Sequence, residues 1–176
     1  MVLFIIWIVN QDSNNGYKNN TLNTQKSAIE EIVPPENRLT NWEEIFKNDY
    51  YFKNVFWHHK LNIDNSRWGS DAIVKLVPVG KKSIYTAYVR EWYSISVDEI
   101  PDWEYEIYFT YCKGYNYGTG KPLWVSNTQK ADEVYSFNTT REGNYQVSKE
   151  LTISLYKTTN WNLNTDFITD DAFNSL

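Results

Sequence analysis

Residues 98–106 (DEIPDWEYE) hold five carboxylates, with Trp103 and Tyr105 among them. Carboxylates beside aromatic faces suit a cationic ligand, which needs charge pairing and cation–π attraction in a dry pocket. Alternation along a strand puts Glu104 and Glu106 opposite Trp103 and Tyr105, so the group divides between two faces. The ordinary reading of such a run is a solvated acidic loop leading into an outward strand face. Glu91 is the sharper candidate. It falls on an otherwise apolar strand face, where an unpaired charge is costly, so it lies near a rim or meets a cation. Two carboxylates facing each other across a cleft could also serve as acid and base in glycoside hydrolysis.

Other chemistries find no support in the sequence. Gly114, Gly118 and Gly120 precede no helix, so they form no phosphate-binding loop. No serine sits in a nucleophile elbow. A catalytic zinc needs about three converging ligands. His58 and His59 are strand neighbours that point to opposite faces, one outward and one inward, and cannot easily share a metal. Cys112 is the sole cysteine, which excludes an internal disulfide, and nothing nearby would lower its pKa. The expectation is a binding protein and not an enzyme, without cofactor or metal.

The elements that must position these residues are mainly strands. Aromatics make up 17% of the 176 residues, and flat, rigid side chains favour a pleated, half-buried surface. A net charge of −5 argues against nucleic acid, and no basic run offers a membrane a landing patch. Residues 2–9 (VLFIIWIV) are an uncharged apolar run, too short to span a membrane and suited to the core of a signal peptide. Polar sequence follows to residue 25. Asn19 and Asn138 each begin an N-glycosylation triplet. The expected organisation is a signal-like segment and linker over 1–25, a β domain over 26–158 and a loose polar tail over 159–176.

Within the β domain, residues 27–30 and 40–43 have the form of capping boxes, and Pro34-Pro35 ends the first helix. The spacing of Trp42, Ile45 and Phe46 predicts a short helix over 41–47. Strands are expected over 50–60, 71–79, 84–97, 103–111, 123–126, 134–137 and 145–156. In 84–97, Tyr85, Ala87, Val89, Tyr93, Ile95 and Val97 share one face with Glu91, while Thr86, Arg90, Ser94 and Ser96 share the other. In the last strand, Val147, Leu151, Ile153 and Leu155 point inward. Strands joined by hairpin-length links make an antiparallel barrel or sandwich.

Trp42, Tyr50-Tyr51, Asp64-Asn65 and Trp68-Gly69-Ser70-Asp71, followed by the apolar strand from Ala72 to Val77, resemble in order and spacing the histamine-binding family of tick salivary lipocalins. The resemblance covers about a fifth of the chain. It implies an up-and-down antiparallel β-barrel behind a short N-terminal helix, with a central cavity. It also implies a secreted, extracellular role in capturing a biogenic amine or lipid mediator. Val74 stands where that family usually has a cysteine, and Lys113 and Pro122 stand where its amine-binding members carry acids. On this reading Tyr51, Trp57, Tyr85, Glu91, Tyr93, Tyr105 and Phe109 line the cavity of a monomer. The alternative is a secreted β-sandwich module that binds glycan or protein through Trp92, Trp103 and Trp124.

Overall fold

The computed structural model describes Leu39 and residues 42–53, 59–67, 69–156 and 163–176. The signal-like segment and linker over 1–25, the capping box at 27–30, Pro34-Pro35, Trp57, His58 and Trp68 lie outside the described residues. The first half of the chain contributes β1 (Trp42–Lys47), α1 (Asp49–Phe52), β2 (His59–Asp64), β3 (Asp71–Pro78), β4 (Tyr85–Val89), β5 (Ser94–Ile100) and β6 (Trp103–Cys112). Then follow β7 (Gly114–Asn116), β8 (Lys121–Leu123), β9 (Ser126–Ala131), β10 (Tyr135–Phe137), β11 (Thr140–Glu142), β12 (Tyr145–Val147), β13 (Glu150–Ser154), β14 (Thr165–Phe167) and α2 (Asp170–Ser175).

The larger sheet runs β1-β4-β3-β6-β9-β14, with β10 also paired to β6. The smaller sheet runs β13-β2-β5, and β7–β8 and β11–β12 form separate ribbons. The chain is thus mainly β, and its pairings are antiparallel with one exception. That exception is β13 on β2, which pairs in parallel with Leu151 opposite Leu61 and Ile153 opposite Ile63. Among the described residues the pairing does not close into a barrel, since β1 and β14 stand at the two ends of the larger sheet.

Alternation explains the core. Ala72, Val74 and Leu76 of β3, Tyr85, Ala87 and Val89 of β4, and Tyr105, Ile107 and Phe109 of β6 share one face of the larger sheet. They pack in one cluster with Leu61, Ile63, Ile95, Val97, Ile100 and Ile153 of the smaller sheet. The other face is covered as well: Ile73, Val77, Tyr88, Tyr108 and Cys112 pack with Tyr115 and with Phe173 of α2. Strands covered on both faces read as continuous apolar runs, as β3 does.

Several expectations are corrected. Residues 42–47 form a strand and not a helix, paired to β4 with a bulge between Glu44 and Phe46. Six residues with three apolar ones fit either period, and the exposed backbone of β4 decides for the strand. The expected strand over 50–60 opens instead with α1, where the Asn48 side chain accepts the Tyr50 N–H at 3.2 Å and so caps the helix. The segment 84–97 is two strands in different sheets, broken at 90–93 by a turn in which Trp92 has φ +70°. Thr86 lies on the face opposite Tyr85, as alternation places it, but is buried there and not exposed. The segment 145–156 divides into β12 and β13, which belong to different sheets, and Val147 is exposed. The polar tail carries β14 and α2, with Leu163 and Phe173 buried. Thr169 caps α2 through Oγ1, which accepts the Ala172 N–H at 3.2 Å.

Candidate ligand site

Three consecutive pairings set the centre of the outer face. Phe46 of β1 lies opposite Thr86 of β4, Thr86 opposite Lys75 of β3, and Lys75 opposite Tyr108 of β6. Lys75 is therefore a lysine in the middle of the larger sheet, with α2 lying over it. Its Nζ donates to the Phe173 carbonyl oxygen at 2.7 Å and sits 4.5 Å from the centroid of the Phe173 ring. Among the described residues no carboxylate forms an ion pair with it. Burial alone pulls its ammonium down from 10.5 to about 8.

Above Lys75 opens a cleft of about 370 Å3, within the roughly 300–1,000 Å3 range of small-ligand sites. Ile45, Phe46, Ile73, Tyr115, Pro122 and Phe173 give it apolar walls. Ser83, Thr86, Asn48 and Asn174 add neutral polar groups, and Lys82 adds a second cation. No lining side chain is a carboxylate, although the protein as a whole carries −5. The β7–β8 ribbon supplies Gly120, whose φ of +66° is a left-handed backbone that favours glycine.

Of the seven residues expected to line a central cavity, the six that are described fall elsewhere, and none of these six lines this cleft. Tyr85, Tyr105 and Phe109 are buried in the cluster between the sheets, and Tyr51 packs half-buried against it. Burial, with Glu44 beside it, pushes the Tyr85 phenol up to about 12, and burial raises Tyr105 likewise, helped by the charge of Asp102. Glu91 and Tyr93 belong to the 90–93 turn, and Tyr93 is exposed and not inward. Trp57 is outside the described residues.

The acidic run is divided among separate partners. Asp98 is 3.3 Å from Lys60. Asp102 accepts from His59 Nε2 at 2.6 Å and from Thr139 Oγ1 at 2.9 Å. His59 is the inward histidine, and its Nδ1 accepts the Lys149 N–H at 2.7 Å. Burial pushes Glu106 up, but hydrogen bonds from Lys130 at 2.6 Å and Tyr108 at 2.8 Å outweigh it and hold the carboxyl below its usual range. Among the described residues no three His, Cys, Asp or Glu side chains gather as a metal would require. Cys112 is buried.

Trp92 and Trp103 are exposed, but β5 runs between them, so they sit at opposite ends of that strand and form no shared platform. Trp103 is covered on one side by Lys81, whose Nζ is 4.0 Å from the ring centroid. Trp124 is half-buried with φ +50°. No family model, curated protein or solved structure matches the chain.

Sequence reasoning missed Lys75. The signal was present: one charge at the centre of an otherwise apolar strand (AIVKLVP) must find a polar partner or an opening. The buried lysine leads to a stability prediction. Because the folded chain holds the Lys75 proton less tightly than the unfolded chain, the unfolded state binds more protons between about 8 and 10.5. Stability contributed at Lys75 is therefore lowest below pH 8 and rises through that interval. Lys75→Met is expected to unfold at higher urea than the parent at pH 7, with the advantage shrinking by pH 10. A difference that stays constant from pH 7 to 10 would remove burial as the cause.

Proposed function

We propose that this chain is a secreted, lipocalin-like carrier that sequesters a small lipid mediator with an anionic head in the outer-face cleft. The observation that carries this reading is Lys75, a half-buried cation at the floor of an apolar cleft whose lining has no carboxylate side chain. An acid group entering the cleft gains a charge-assisted hydrogen bond in a partly desolvated place, and its hydrocarbon tail gains the apolar walls. A biogenic amine fits this cleft less well, because both ionisable side chains with nitrogen in its lining, Lys75 and Lys82, repel it. The lipocalin-like reading takes the two sheets as halves of one barrel, joined at the corners 90–93 and 101–102, where the chain passes from one sheet to the other.

A titration with a fluorescent long-chain carboxylate, competed by dodecanoate and by histamine, tests this. Saturable binding displaced by dodecanoate and not by histamine is expected. Lys75→Met is expected to weaken it roughly ten- to a hundredfold, since a hydrogen bond to a charged group contributes ~1.5–3 kcal/mol. Displacement by histamine with indifference to dodecanoate would overturn the reading in favour of amine capture.

A further inference from the structure

Lys75 differs from the other described lysines in its surroundings. Lys130 lies 2.6 Å from Glu106, Lys60 lies 3.3 Å from Asp98 and Lys53 lies 3.6 Å from Asp49. Lys82 lines the same cleft but is exposed to solvent. Lys75 combines a position within an apolar cleft, one carbonyl acceptor and an aromatic ring beside its Nζ. An amine so placed serves two chemistries. Protonated, it pairs with an acid. Neutral, it is a nucleophile held where a hydrocarbon chain would lodge.

We propose that Lys75 captures small apolar aldehydes as a reversible imine in this cleft. The inference rests on the same cleft being a ligand site. The Nζ lone pair forms a bond to the carbonyl carbon, and the carbonyl π pair moves to oxygen. A proton passes from nitrogen to that oxygen, giving a carbinolamine. Protonation of the hydroxyl by solvent lets the C–O bond break with loss of water, the nitrogen pair closes the C=N bond as an iminium, and return of the N–H proton to solvent leaves the imine. One aldehyde and one amine give one imine and one water, with no oxidant or reductant. Water adds back to release the aldehyde when its concentration falls, so the chain acts as a sink and not as a catalyst.

The groups around Lys75 leave its amine available. Burial brings its ammonium to about 8, so about a fifth is neutral at pH 7.4, against less than ~0.1% for an ordinary lysine. From β6 and β9 the neighbouring charges are Glu106 and Lys130, which are paired to each other. From the β7–β8 ribbon comes Tyr115, whose phenol burial pushes up and so keeps neutral. From α2 come the Phe173 carbonyl and Asn174, while the carboxylate of Asp170 accepts from Thr128 at 2.5 Å. Lys82 also lines the cleft and is exposed to solvent.

The test incubates the full chain with nonanal, quenches with borohydride and maps the alkylated lysines by mass spectrometry. Lys75 is expected to be modified at least about tenfold faster than Lys82 or Lys113, with half-maximal labelling near its shifted pKa and not near that of a free lysine. Dodecanoate should protect Lys75 and leave Lys82 unaffected, and propanal, which lacks the tail, should show much less preference. Lys75→Arg keeps a cation and should lose the selective label. Uniform labelling across the lysines overturns the inference, and because it is read on the parent protein no variant needs to fold. If dodecanoate binds and labelling is uniform, the carrier reading stands and imine capture fails. If neither selective labelling nor carboxylate binding occurs, both fail.

Discussion

Phe109→Ala is expected to cost about 3–5 kcal/mol of stability and to leave ligand affinity unchanged. The ring is fully buried, lies opposite Val74 on β3, and meets Tyr111 edge to face with centroids 5.6 Å apart. It belongs to the cluster shared by the two sheets, where its removal leaves a hole that rigid strands on both sides cannot fill. Urea unfolding followed by tryptophan fluorescence reads the loss. The outer-face cleft lies on the opposite side of the larger sheet, so carboxylate binding by the folded variant should match the parent. A loss under ~1 kcal/mol together with altered ligand affinity would identify Phe109 as a cavity wall instead of core, since a wall already faces empty space.

That contrast shows why the residues of a central cavity were so hard to read from sequence. Alternation identifies which side chains face inward, and it did so for Tyr85, Tyr105 and Phe109, which are all buried. It does not say whether the inward face meets a ligand or another sheet. The second layer here is β13-β2-β5, and its parallel contact between β13 and β2 joins residues 90 positions apart, such as Leu151 and Leu61. No local pattern announces a pairing of that span. Local patterns succeeded where one strand runs straight between two breakers. The expected 71–79 and 103–111 are observed as Asp71–Pro78 and Trp103–Cys112. They failed where chemistry outside the segment decided. Residues 42–47 became an edge strand because β4 offered a free backbone, and Lys75 became half-buried because α2 folded over it.

The polar tail teaches the same lesson from the other direction. Its composition suits a loose end, yet Leu163 and Phe173 are buried. Phe173 is the single large apolar residue in a six-residue helix, too little for a periodicity signal. Its contact with the lysine makes it informative: the Lys75 Nζ finds both a carbonyl and a ring on one residue. The candidate site is thus assembled from a strand charge that was visible and a tail aromatic that was not. By contrast Glu91, chosen on the same argument about charge on an apolar face, lies where the strand has already ended in a turn, and its backbone N–H donates to Asp71 Oδ1 at 3.0 Å.

The motif residues around that turn carry the second large effect. Asn65 is fully buried, and its Nδ2 donates to the carbonyl oxygens of Ser70 at 2.9 Å, Val89 at 3.2 Å and Arg90 at 3.3 Å. Its backbone closes the same turn, with its N–H on the Tyr93 carbonyl at 3.0 Å and its own carbonyl accepting the Trp92 N–H at 3.1 Å. Asp64 accepts from Ser94 Oγ at 2.8 Å and Tyr156 at 2.5 Å, and Asp71 accepts from Tyr88. The Asp64-Asn65 and Ser70-Asp71 positions therefore stitch the corner where the chain leaves one sheet for the other. Asn65→Ala is expected to cost about 2–4 kcal/mol, because buried carbonyls lose their donor. Asn65→Asp should cost more at pH 7, since a carboxylate facing three carbonyl oxygens is a buried charge without a partner. The sign with pH separates the two. The introduced carboxyl is pushed up by burial and by those oxygens, so the folded state takes up a proton that the unfolded state releases. Asn65→Asp should therefore regain stability relative to Asn65→Ala as pH falls from 7 towards 5, measured as urea midpoints across that range. If the two variants keep a constant gap over that interval, the side chain at 65 does not face the carbonyls, and the corner is held by backbone contacts alone.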